Sequence, residues 1–309
     1  MNYTFLTNTS AQLDSKSVVT IGNFDGVHCG HQRIFAKVVD IAAAKQITPL
    51  AFSFYPHPRE VLGNIKVALI TTVLQRSNKI AKLFPKIKYG KIDFDLALAQ
   101  KSARAFLQIL IDEFAMSDLV IGTTTHIGKN REGTPERIAQ LAKSMGFTLH
   151  LIEPLKVGEH VVSSTLIRNL ITKGEVERVV EVMGEFFTTS GEVIHGQQLG
   201  GALGFPTANV ACFSSQLLPA NGVYAVWAWV NGKRYPGAAN LGYRPTLEQD
   251  NVTRHLEVHL LNQEMNLYGS DMTVAWVQKI RDEKKFNSLK MLQKQVSLDV
   301  IKINKILSK

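Results

Sequence analysis

Residues 18–31 read VVTI-GNFDGVHCGH, and this stretch decides the first half of the fold. The apolar, β-branched run at 18–21 predicts a buried strand. It is followed by three glycines in nine residues, Gly22, Gly26 and Gly30, with two histidines three apart, His28 and His31. From residue 31 to 45 the apolar residues Ile34, Phe35, Val38, Val39, Ile41 and Ala42 recur at helical spacing. A strand, a glycine-rich turn and a helix in this order place a helix N-terminus where free backbone N–H groups and the helix dipole favour phosphate. Glycine lets the backbone approach a phosphate chain closely. The two imidazoles are suited to donate hydrogen bonds as charge builds on phosphate oxygens, which is transition-state stabilisation rather than acid–base work. There is no G-x-x-x-x-G-K-[ST] loop, so an ordinary P-loop enzyme is not expected.

Strand and helix patterns continue to alternate beyond this turn. Strands are expected at 50–54, 119–121 and 147–152, and helices at 77–84, 102–114 and 135–145. Pro135 inside a first turn and Gly146 just past an end mark the last of these. Such alternation predicts an α/β domain with a doubly wound parallel sheet, which binds ligands at the C-terminal ends of its strands. After a helical stretch at 168–183 the texture changes to short strands, among them 191–194, 223–230 and 256–261, separated by Gly, Pro and Asn. This is an all-β pattern, expected to close as a small antiparallel barrel. Residues 288–307 carry Leu289, Leu292, Val296, Val300, Ile303 and Leu307 three or four apart, an amphipathic helix expected to lie on the barrel. The division is expected near residue 185, giving domains 1–185 and 186–309.

The 309 residues carry a net charge of +9, with 45% hydrophobic and 20% charged residues, the composition of a soluble globular protein. The basic residues are scattered apart from a lysine-rich C-terminus, and no zinc-finger or RNP-like signature is present. Nucleic acid is therefore not the expected partner, and small phosphorylated ligands are. The first twenty residues show no basic region followed by an apolar stretch, and the longest apolar run, residues 224–230, is too short to span a bilayer. A cytoplasmic protein without membrane attachment is expected. Two cysteines, Cys29 and Cys212, are too few for a disulfide framework or a cysteine zinc site.

The H-x-G-H at 28–31 resembles the signature of the nucleotidyltransferase superfamily. FSFYPHPREVL at 52–62, SSTLIR at 163–168, LGFPTANV at 203–210, NGVYAV at 221–226 and ANLGYRPT at 239–246 follow in order. Together they resemble the bacterial bifunctional riboflavin kinase/FMN adenylyltransferase family, also called FAD synthetases, over nearly the whole chain. The resemblance implies an N-terminal module that transfers AMP from ATP to FMN and a C-terminal module that phosphorylates riboflavin. It implies that His28, His31 and Arg168 act on the ATP phosphates. Gly22, Phe24, Asp25, Gly30, Ser163, Ser164 and Thr165 would complete that nucleotide site, and His57 would lie in a flavin-side loop. In the second module it implies a phosphate-binding flap with Gly191, Gly196, Gly200, Gly201 and Gly204, and Mg²⁺ held by Thr207 and Asn209, whose hard oxygens suit that ion. Glu257 would be the base, with Arg281 and Phe286 near the flavin. ATP is the implied co-substrate; FMN and FAD are the implied products.

Two departures from the family pattern stand out. Where the family has G-x-[DN]-F-x-F-G, this chain has GTTTHIG at 122–128, with Thr124 at the acidic or amide position and Thr125 and Ile127 at the two aromatic positions. Each lost aromatic contact removes about 1 kcal/mol beyond burial. In the flap, the usual Arg is Gly201. The alternatives to a working bifunctional enzyme are a riboflavin kinase with an impaired or repurposed first half, and a flavin- or nucleic-acid-binding regulator.

Overall fold

The computed structural model describes residues 1–6, 15–196, 204–243, 254–263 and 265–308. Gly200 and Gly201 of the expected flap lie outside the described residues, as do residues 244–246 of ANLGYRPT. The chain divides into two compact units, Met1–Ser164 and Thr165–Lys309.

The first unit is built on a six-stranded sheet in the order β1-β4-β3-β2-β5-β6. Its strands are β1 (Tyr3–Phe5), β2 (Ser17–Ile21), β3 (Thr48–Tyr55), β4 (Lys88–Asp93), β5 (Met116–Gly122) and β6 (Thr148–Ile152). Only β1 is antiparallel to its neighbour. Every residue of β2 is buried, as a central parallel strand covered on both faces requires. Helices α1 (Cys29–Lys45) and α3 (Val73–Leu83) cover one face through Phe35, Val38, Ile41 and Ile80. On the other lie α5 (Ala103–Phe114) and α6 (Pro135–Met145), through Phe106, Leu110, Ile138 and Leu141. From β2 the chain winds outward to β3 and β4, then returns to place β5 on the other side of β2. The strand order therefore switches between β2 and β5, where a doubly wound sheet opens a crevice at its carboxyl edge. The unit also holds short helices α2 (Pro58–Gly63) and α4 (Leu96–Ala99) and a two-stranded ribbon of β7 (Lys156–Val157) and β8 (His160–Val161).

Local chemistry accounts for the boundaries. Ser102 caps α5, and Thr134 caps α6 ahead of Pro135, with Gly146 left-handed at its end. Helix α3 begins four residues before the expected 77, because Thr72 and Gln75 form a reciprocal capping box. The expected helix at 168–183 is two helices, α7 (Ser164–Lys173) and α8 (Val176–Met183). The break falls at Gly174, whose φ of +79° is left-handed; a Cβ there would lie 2.8 Å from the Tyr224 hydroxyl.

In the second unit six antiparallel strands close into a barrel, in the cyclic order β10-β13-β12-β11-β14-β9. They are β9 (Thr188–Ile194), β10 (Ala208–Cys212), β11 (Gly222–Val230), β12 (Lys233–Tyr243), β13 (Arg254–Leu260) and β14 (Asp271–Arg281). Tyr224, Val226, Ala228, Leu256, Val258 and Trp276 are buried. The C-terminal helix α9 (Leu289–Leu307), capped by Ser288, packs Val300, Ile303 and Leu307 over Val223 and Ala225. Leu289, expected on the apolar face, is exposed: it stands in the first turn, ahead of the part of the helix that meets the barrel.

Candidate active sites

At the carboxyl edge of β2 the turn 22–28 is heavily bonded. The Asp25 carboxylate accepts the backbone N–H groups of Ile70 (3.1 Å) and Thr71 (3.0 Å) and the Thr71 hydroxyl (3.2 Å), and pairs with Arg76 at 3.4 Å. Asp25 is 1% exposed and so braces the turn from behind. His28 is the N-cap of α1: its Nδ1 accepts the His31 N–H at 3.2 Å. That bond assigns the proton of a neutral His28 to Nε2, the nitrogen left to donate. The His31 ring stacks on His28 at 3.5 Å between centroids and meets Phe24 edge-on at 5.3 Å. Burial lowers the His28 pKa to about 4, with the Lys79 charge acting in the same direction. Burial also holds His31 well below the usual histidine range, assisted by His28, Arg76 and Lys79. Both imidazoles are therefore neutral donors near pH 7. No acidic residue stands in the first turn of α1 to compete with a bound anion.

A cleft of about 290 Å³ opens above this pair, lined by Phe24, His28, Gly30, His31, Thr123–Thr125, Glu153, Ser163 and Ser164. The switch point thus brings together the turn after β2 and the GTTTHIG segment after β5. The Ser164 hydroxyl donates to the Asp25 carbonyl at 2.9 Å. Thr165 and Arg168 lie in the first turns of α7.

Protonation of the two imidazoles gives a pH prediction. The fold depresses their pKa values, so between pH 6.5 and about 4 the unfolded chain binds more protons than the folded one. Stability is fully present above that window and is lost as pH falls through it. His28 alone accounts for on the order of 3 kcal/mol. Thermal unfolding from about pH 7 to about pH 4.5 should show a falling Tm, with a shallower fall in His28→Gln.

A second cleft of about 290 Å³ lies beside the first, walled by Phe54, Leu62, Phe94, Leu98, Phe106 and Ile127, with Lys129 and Arg131 at its edge. It adjoins an open groove that includes Asn23, His57, Ile65 and His126. His57 caps α2 and meets the Asn23 amide at 3.0 Å, tying this groove to the turn. Segment 122–128 brings no aromatic ring other than His126, which meets Arg131 at 3.2 Å. The ring surfaces come from Phe54, Phe94 and Phe106, which sequence reasoning missed. Phe106 belongs to a helical apolar face and carries no local mark of ligand contact.

In the barrel, register does the assembling. Residues directly opposite in adjacent strands share a face. Ile194, Asn209, Glu257, Asn240, Val223 and Arg281 form one unbroken row of such partners across β9, β10, β13, β12, β11 and β14. Glu257, between the buried Leu256 and Val258, faces outward as alternation requires, beside Asn209. Asn209 lies against Gly196, where a Cβ would stand 2.0 Å from Nδ2; only glycine permits that approach. Thr207, Gly204, Pro206, Val258, Gln263 and Tyr268 border a cleft of about 390 Å³, and His195 stacks on Tyr268 at 3.8 Å. The Asp299 carboxylate of α9 fixes Arg281 through Nε (2.9 Å) and Nη2 (2.8 Å) and in turn accepts the Gln295 amide at 2.8 Å. Arg281 also lies over the Phe286 ring at 5.8 Å. Sequence reasoning missed Asn240, though it sits in the quoted ANLGYRPT, and Asp299, whose place in an amphipathic helix gave no signal. Among the described residues no group of three or more His, Cys, Asp or Glu is placed to hold a metal. Thr207 and Asn209 supply neutral oxygens instead, a donor set that fits a Mg²⁺ held largely by substrate phosphates and water.

The first unit is an α/β domain with a cleft at its switch point, and the second is a closed antiparallel barrel with a cleft of its own. Residues 10–166 match the family model described as FAD synthetase, and residues 183–307 the one described as riboflavin kinase. The bifunctional riboflavin kinase/FMN adenylyltransferase of Bacillus subtilis is 35% identical over 92% of this chain and 90% of its own length. The Listeria monocytogenes protein of the same description is 34% identical over 94% and 92%. The chain belongs to the bifunctional riboflavin kinase/FMN adenylyltransferase family and carries both of its domains. A solved Streptococcus pneumoniae structure titled macrolide-efflux protein superposes with a TM-score of 0.86 at 26% identity, covering 94% of each chain. Among the described residues here, no helix is long and apolar enough to cross a membrane.

Proposed function

We propose that this chain makes both flavin cofactors, phosphorylating riboflavin to FMN in the barrel and adenylylating FMN to FAD in the first unit, with ATP as co-substrate of each step. The observation that supports this reading is that each half matches its own family model and carries candidate phosphate-handling groups, His28 and His31 at the start of α1 in one and Asn209 beside Glu257 in the other. The first half, to about residue 185, takes the adenylyl transfer, and residues 186–309 take the kinase reaction, with α7 and α8 as the connection. We place the enzyme in the cytoplasm, with small molecules as its partners.

In the first unit, a phosphate oxygen of FMN attacks the α-phosphorus of ATP, and the bond to pyrophosphate breaks. His28 and His31, neutral and stacked, donate to phosphate oxygens as charge accumulates there, and the N–H groups opening α1 add to the cradle. Gly22, Phe24, Gly30, Ser163 and Ser164 are assigned to nucleotide contact. Asp25 is assigned to the shape of the turn. The isoalloxazine ring is assigned to the cleft of Phe54, Phe94 and Phe106, whose edge cations Lys129 and Arg131 attract the FMN phosphate.

In the barrel, Glu257 takes the proton of the ribityl 5′-hydroxyl as that oxygen attacks the γ-phosphorus and ADP departs. Thr207 and Asn209 would hold Mg²⁺, which when bound would neutralise charge on the nucleotide phosphates. Gly196 and Gly204 are assigned to the flap over those phosphates, and Arg281, fixed by Asp299, to the flavin side.

The GTTTHIG segment favours a kinase-only reading, because it lacks two aromatic residues. The ring surfaces of the second cleft answer it. The test is chromatography of flavins after incubation with ATP, Mg²⁺ and either riboflavin or FMN. FAD from both substrates is expected; FMN from riboflavin with no FAD from either would overturn the reading of the first unit.

A further inference from the structure

Strand β13 alternates, so His255, Glu257 and His259 share its outward face while Leu256, Val258 and Leu260 are buried. One edge of the strand is tied into the barrel by β12, where His259 stands opposite Ala238. On the other edge the register with β10 runs from Val210↔Leu256 through Asn209↔Glu257 to Ala208↔Val258. One step beyond that last pair, the same register brings Thr207 level with His259. Strand β10 begins only at Ala208, and Pro206 has no N–H with which to extend the ladder.

A side chain takes over where the ladder stops. His259 Nδ1 lies 2.8 Å from the Pro206 carbonyl oxygen. A carbonyl only accepts, so Nδ1 carries the proton and donates. The same ring meets Phe205 edge-on, at 5.6 Å between centroids and 87° between planes. One imidazole therefore grips two successive residues immediately ahead of Thr207. Gly204, Pro206 and Thr207 wall the cleft of about 390 Å³ together with Val258 and Leu260, the two residues that flank His259. The contact thus runs from the outer face of the barrel to the cleft wall, and the barrel core does not depend on it.

We propose that His259 is a positioning residue for phosphoryl transfer: its Nδ1–H holds the Phe205–Pro206 corner, and through that corner it sets Thr207 at the nucleotide cleft in fixed register with Glu257. The inference rests on the reading of the barrel as the kinase site. Glu257 and His259 stand two apart on one face of one strand. The rigid, twice-paired β13 thereby carries both the base and the anchor of the residue on the phosphate side.

The test uses the full-length protein and steady-state FMN formation from riboflavin, ATP and Mg²⁺. His259→Phe keeps a ring against Phe205 and loses the donor. It is expected to lower kcat/KM for ATP roughly tenfold or more, with KM for riboflavin within about twofold and an unchanged thermal transition. His259→Asn is expected to recover most of the loss, because its amide nitrogen stands as many bonds from the backbone as Nδ1 does. Wild-type kcat/KM in His259→Phe, or equal losses in His259→Phe and His259→Asn, would overturn the proposal. Should His259→Phe fail to fold, His259→Gln serves. Its amide nitrogen lies one bond further out, so it is expected to lose more kcat/KM than His259→Asn; equal values would overturn the proposal. Nitrogen NMR of histidine-labelled protein, without nucleotide or metal, gives a readout independent of turnover. The resonances that vanish in His259→Asn are expected to show a protonated Nδ1, and a bare Nδ1 would overturn the proposal. Wild-type protein that makes no FMN from riboflavin would instead overturn the reading of the site itself.

Discussion

Replacing Glu257 by Gln should lower FMN formation from riboflavin by about 10²–10⁴-fold, the usual worth of a positioned general base, and leave FMN-to-FAD conversion unchanged. The side chain is nearly isosteric and sits on the outer face of β13, so Leu256 and Val258 keep their places in the barrel core. The amide cannot accept the hydroxyl proton as the carboxylate does. Asn209 and Asn240, its neighbours in register, remain to pack against it. The effect therefore belongs in kcat rather than in folding. Separate assays of the two half-reactions on one preparation check it. Equal loss of both would show that the two sites are not independent.

His31→Ala should produce the opposite pattern. FAD formation from FMN should fall by about 10²–10³-fold, as when one donor to a developing oxyanion is removed. Riboflavin phosphorylation should be unaffected. The substitution removes the ring stacked on His28 and meeting Phe24, but keeps the backbone N–H that His28 Nδ1 accepts. The cap of α1 thus survives, and a loss of activity reports the missing imidazole rather than a lost helix. His28→Ala removes both the donor and the cap, so it should also lower stability, by about 1 kcal/mol for the cap itself.

What the sequence disclosed and what it withheld follow from the range of the interactions. The turn at 22–31 was legible because one local motif carries the strand end, the glycines, the cap and the imidazoles. Helix α6 was legible from Pro135 and Gly146 for the same reason. Strand β4 was not, because KYGKID has a glycine and two lysines and owes its place to pairing with β3. Strand β12 holds Pro236 and Gly237 in mid-run, which read as a break until β11 and β13 pair on either side. The site residues divide in the same way. Glu257 and Asn209 were found through motifs. Their alignment with Asn240 and Arg281 is a property of strand register across the closed barrel, which no local window contains. Arg76 and Lys79 carry no local mark of burial, and Arg76 lies just ahead of the helix expected at 77–84. Only the packing of α3 behind the turn buries them against Asn23 and Gly26.

The central claim is that one chain carries two chemically independent sites. The most direct test mixes Glu257→Gln and His31→Ala proteins with riboflavin, ATP and Mg²⁺ and follows FAD by chromatography. Neither variant alone should make FAD from riboflavin. Together they should, because FMN released by the His31→Ala kinase is adenylylated by the Glu257→Gln first unit. No FAD from the mixture, while each variant retains its own half-reaction, would contradict the account.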